Sequence, residues 1–76
     1  MRHMGTVGEA WHDLLRSTRP MTDGAARQMS ESILGRSVEL APGTAWAEPV
    51  IEKSAHADYT QWEFTWRVID KSEAVV

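Results

Sequence analysis

Cysteine is absent from the 76 residues, and with it every disulfide and every thiolate metal site. Long apolar runs are missing too. The longest spans only a few residues, far short of the roughly 18 to 20 needed to cross a bilayer. No charged segment leads into the apolar stretch of a signal peptide, so the expectation is a cytoplasmic protein with no membrane partner. Positive charge is scarce, at 8 Lys and Arg against 11 Asp and Glu. The shortage is concentrated in residues 37–76, where three bases face seven acids, while residues 1–36 hold five Arg and four acids. Phosphate neutralisation underlies most nucleic-acid binding, and this balance argues against a nucleic-acid partner.

What is present is ordinary for a folded domain: 42% hydrophobic and 25% charged residues. A chain of this length buries only about 60% of the surface that its unfolded form exposes. Disulfides being excluded, oligomerisation is the natural supplement. One domain over residues 1–76 is expected, with residues 1–5 disordered or, at His3 and Met4, partly cloning residue.

Local patterns predict the elements. Thr6-Val7-Gly8-Glu9 has capping-box spacing, and Val7, Ala10, Trp11, Leu14 and Leu15 recur at helical intervals up to Pro20. Thr22 or Asp23 can cap a second helix, with Ala26, Met29 and Ile33 as its apolar stripe and Gly35 as its stop. Val38 to Leu40 then alternates, Ala41-Pro42-Gly43-Thr44 fits a type II turn, and a returning strand covers Ala45 to Lys53. After the polar connection Ser54 to Asp58, the segment Tyr59 to Asp70 alternates strictly, with Trp62, Phe64, Trp66 and Val68 on one face. The predicted fold is α+β: two N-terminal helices on a three-stranded antiparallel meander, ααβββ. Its core would hold Leu14, Ile33, Trp62 and Phe64.

No constellation of reactive side chains stands out. His3, His12 and His56 are too scattered for a metal site, and no cofactor is expected. Ser54, His56 and Asp58 contain the residue types of a nucleophilic triad, but three positions in one loop do not converge as a triad requires. Glu48, Glu52 and Glu63 could sit as paired carboxylates on neighbouring strands; acids on a solvated sheet face are the commoner outcome.

Tryptophan is the unusual resource, supplying four of the six aromatic residues. Helical stripes of Ala, Leu, Met and Ile offer little to cover so many rings, and an uncovered Trp is a common interface anchor. The reading from sequence is therefore a small protein-interaction module rather than an enzyme: an inhibitor, accessory subunit or regulatory adaptor, with its own copy as one possible partner. In a meander the last strand would lie at the sheet border with unpaired backbone groups. That assigns the interface to Thr65, Trp66, Arg67, Val68 and Trp46, with homodimerisation through the last strand. Two alternatives stand beside it. The order helix, turn, helix, hairpin resembles winged-helix DNA-binding domains, although the resemblance covers only the order of elements and lacks a basic recognition face. The other is a small enzyme using His56 and strand carboxylates.

Overall fold

A computed structural model describes residues 2–74. The chain runs β1 (His3–Gly5), β2 (Ala10–Ser17), α1 (Asp23–Ser37), β3 (Val38–Leu40), β4 (Thr44–Trp46), β5 (Val50–Ala55), β6 (Thr60–Asp70) and a short α2 (Lys71–Ala74). The main sheet is antiparallel. Its centre is β6, flanked by β2 on one side and by β4 and β5, end to end, on the other. A separate parallel pair joins β1 to β3.

This corrects the ααβββ expectation: the first predicted helix is a strand. Gly8 explains the change. It takes φ 95, the left-handed conformation needed at the third position of a type II turn, and the Glu9 N–H closes that turn on the Thr6 carbonyl at 3.1 Å. The Gly8 N–H donates to the Val68 carbonyl at 3.0 Å, and the Val68 N–H donates to the Glu9 carbonyl at 2.9 Å. Gly8 and Glu9 therefore oppose one residue as a glycine bulge that delivers the chain into β2. The capping-box pair still meets, but as a bond from the Thr6 hydroxyl to the Glu9 carboxylate at 2.7 Å.

Strand alternation then decides β2: Trp11, Asp13, Leu15 and Ser17 are half-buried while Ala10, His12, Leu14 and Arg16 are exposed. Trp11, Asp13 and Leu15 lie opposite Trp66, Phe64 and Trp62. Pairing with the aromatic strand overrides a helical pattern that depended on Leu14, which is exposed rather than part of the core.

The second predicted helix forms. Thr22 caps it, its hydroxyl accepting the Ala25 N–H at 3.1 Å. Gly35 does not stop it; the helix runs to Ser37. The buried line is Ala26, Ser30 and Leu34; Ala26 is buried as expected, while the next two positions fall one residue on, so Met29 and Ile33 are exposed. Ala26 and Ser30 take the two fully buried positions, where the sheet beneath is carpeted with Trp62, Phe64 and Trp66 and large rings need shallow neighbours. Two indole N–H groups fix the helix: Trp62 donates to Asp23 at 3.0 Å and Trp66 to Ser30 at 2.9 Å.

The type II turn at Ala41–Thr44 forms, with Gly43 at φ 79 and the Thr44 N–H bonded to the Ala41 carbonyl. It does not make a hairpin, because β3 pairs with β1 and β4 pairs with β6. The returning strand is broken at Ala47 to Pro49 into β4 and β5. The true hairpin is β5 with β6, closed by the His56 N–H on the Tyr59 carbonyl at 2.8 Å.

Candidate interaction surface

The sequence-derived interface residues separate in the fold. Trp66 and Val68 are buried inside the chain, while Thr65 and Arg67 belong to the opposite, outward face of β6. Since β6 is paired on both sides, the free backbone that a meander would give it belongs instead to β2 and β5.

Trp46 does meet Trp66, edge to face at 6.3 Å. Together with Leu34 and Ala47 they line a cleft of about 380 Å3 between α1 and β4. Its rim is charged. Arg27 holds Glu48 through two bonds of 2.8 and 3.1 Å and Glu31 through a third of 3.1 Å, with its guanidinium 5.9 Å from the centre of the Trp66 ring. The two bonds from Arg27 hold the Glu48 carboxyl below its usual range. The cleft is thus bridged by its own ion pairs.

Among the described residues, none forms a second layer over the outward sheet face. Its cross-strand rows are Val50, Thr65 and His12; Glu52, Glu63 and Leu14; and Ser54, Gln61 and Arg16. Glu52 and Glu63 stand directly opposite each other, an arrangement that opposes pairing. Among the described residues no three His, Asp or Glu side chains gather as metal ligands. His56, exposed, stacks on half-buried Tyr59 at 4.5 Å and contacts the Ser54 hydroxyl at 3.3 Å within the hairpin loop.

The edge of β2 has a different character. Val68 exchanges bonds with the Gly8–Glu9 bulge, and antiparallel alternation from there aims the backbone groups of Trp11, Asp13 and Leu15 at β6. Those of Ala10, His12, Leu14 and Arg16 consequently point out of the sheet. The strand contains no Pro, one of the devices that blunt such a border; the bulge at Gly8–Glu9 and the inward carboxylate of Asp13 lie at its start and middle.

Beside it runs an apolar flank of α1. Met29 and Ile33 each precede a buried helix residue, whereas Arg27 and Glu31 each follow one, so the two pairs occupy opposite sides of the helix. Arg27 reaches Glu48, on the β4 side. Met29 and Ile33 therefore overhang the β2 side, 44% and 38% exposed, while Leu14, 51% exposed, lies on the opposite, outward face of the sheet.

Comparison with protein-family models, curated proteins and solved structures gives no match. The surface itself must carry the functional argument. Sequence reading missed this edge because the helical pattern concealed a strand there; the signal available was the equally regular alternation of Trp11, Asp13 and Leu15 with His12, Leu14 and Arg16.

The molecule also exposes more surface than its size calls for. A monomer of 8.6 kDa is expected to expose about 4,700 Å2, and this chain exposes 5427 Å2. Its radius of gyration, 13.6 Å, exceeds the roughly 11.4 Å of a compact domain of this length. No helix among the described residues is long and apolar enough to cross a membrane.

Proposed function

We propose that this chain is a small protein-interaction module, an inhibitor, accessory subunit or regulatory adaptor that acts by binding and not by catalysis. The observation that carries the reading is the open edge of β2 beside the Met29 and Ile33 flank of α1. An extended strand laid along β2 would satisfy the outward backbone groups of His12, Leu14 and Arg16. Its alternate side chains would cover the helix flank, the mode of recognition known as β-strand addition. This moves the interface from the last strand to the first strand of the main sheet. No cofactor and no nucleic acid enter the proposal, and a cytoplasmic setting suits it.

The test is site-specific photo-crosslinking in the native host, with a benzophenone amino acid at Leu14 and, as reference, at Ala57 in the β5–β6 loop. A discrete adduct from position 14 but not from 57 supports the proposal, and the adduct's mass separates a second copy from another protein. Equal or absent labelling at 14 would overturn it.

A further inference from the structure

We infer that the strand that fills the β2 edge is β2 of a second copy, paired antiparallel about a two-fold axis through Leu14. The inference rests on the proposed use of that edge and adds the identity of its occupant.

Register narrows the choice. Residues facing each other across an antiparallel pair lie on the same sheet face, so a symmetric pair of eight-residue strands achieves its greatest overlap with either Asp13 or Leu14 on the axis. Centring on Asp13 would place two carboxylates opposite each other, which is destabilising. Centring on Leu14 places Asp13 opposite Leu15 of the mate and brings the two Leu14 side chains together. It also makes each Leu14 a hydrogen-bonded pair with its symmetry copy, because the Leu14 N–H and C=O already point outward.

The helices complete the fit. Ser30 of α1 donates to Asp13 of β2 at 2.7 Å and accepts from Trp66 of β6 at 2.9 Å, which sets the helix over the line between those two strands. With strands about 4.8 Å apart, the helix axis lies about one strand spacing from the two-fold axis. The two α1 axes would then run about 10 Å apart, close to the 8–10 Å at which packed helices lie. Met29 and Ile33 of each copy would be the side chains between them. The joined sheet would run β5-β6-β2-β2-β6-β5, with both helices on one face.

Sedimentation equilibrium of the wild type, Leu14→Lys and Ile33→Glu, in mildly alkaline buffer from micromolar to millimolar chain, tests the inference. Both positions are exposed in the single chain, so circular dichroism should show both variants folded. The wild type should be dimeric. Each variant should weaken dimerisation by about a hundredfold, since every substitution acts twice across the axis. Amide exchange supplies an independent readout: the Leu14 N–H should become protected as concentration rises, while that of His56, already bonded within the hairpin turn, stays unchanged. A wild type monomeric throughout the range overturns the inference, as does a dimer that both variants leave intact or a Leu14 amide indifferent to concentration. A monomer that still crosslinks another protein from position 14 would sink the second copy alone and leave the interaction reading standing.

Discussion

The indole N–H of Trp66 donates to the hydroxyl of Ser30 at 2.9 Å, and that hydroxyl in turn donates to the carboxylate of Asp13 at 2.7 Å. Three elements, β6, α1 and β2, are tied by one fully buried serine. A hydroxyl can accept one bond and donate another, which neither Ala nor Val at this position could do.

Ser30→Ala should therefore cost more than the loss of one hydrogen bond. The substitution strands the Trp66 N–H in the core and removes a donor from Asp13, a loss of about 1 to 3 kcal/mol. Urea denaturation measures it directly. In a domain of this size the variant should also show weakened near-ultraviolet dichroism from its tryptophans. A change below about 0.5 kcal/mol would mean that water satisfies both partners.

Acid should loosen the start of α1. Asp23 accepts from the Trp62 indole and pairs with Lys53 at 3.0 Å, and these contacts lower its carboxyl below the usual range, the Trp62 bond contributing most. A depressed folded pKa gives stability that is present above the unfolded value, about 3.9, and is lost as pH falls through the folded one. The melting temperature of the wild type should exceed that of Asp23→Asn near neutrality, and the gap should close below about pH 4. A gap that stays constant with pH would assign the effect to the hydrogen-bond geometry alone.

Two glycines should respond to alanine with opposite signs. Gly8 sits at φ 95, where a Cβ is strained, so Gly8→Ala should destabilise by about 1 kcal/mol. Gly35 lies in the helix with no atom within 4 Å of an added Cβ, so Gly35→Ala should stabilise by about 0.4 to 1 kcal/mol. Thermal melts of the pair provide the check, and matching signs would refute the turn-and-bulge account of residues 6–9.

Duplex DNA should not bind at physiological salt. Several of the chain's basic side chains are already engaged by acids: Arg2 with Glu39, Arg27 with Glu31 and Glu48, and Lys53 with Asp23. Salt titration of binding to random duplexes is the measurement. Submicromolar affinity that falls steeply with salt would reopen a nucleic-acid role.

The sequence made β6 plain because strict alternation over eleven residues has a single structural meaning. The Thr22 cap and the type II turn at Pro42-Gly43 were equally local and equally readable. What misled was the stretch from Thr6 to Leu15, which satisfies helical and strand periodicities at once. Only its partner Trp62-Phe64-Trp66, about fifty residues away, selects the strand. The helix stripe slipped for a related reason. Ser30 looks polar in isolation, yet it is the residue that can stand between an indole and a carboxylate, so it displaced Met29 and Ile33 from the core. That same displacement created the apolar flank of the candidate surface.

The place of β6 has a bearing on how the chain acquires its structure during synthesis. Strands β2, β4 and β5 meet no partner in the main sheet except β6, and β6 follows all of them in the chain. Until Thr60 and the residues after it have left the ribosome, none of these ladders can form, and the helix has no aromatic floor to settle on. The emerging segment must wait as an open chain and then collapse in one cooperative, long-range step, the kind of transition that is slow for its length. Over that interval β2 already presents its alternating hydrophobic residues with neither side paired, so a nascent chain is at greatest risk of capture by its neighbours just before its own last strand arrives.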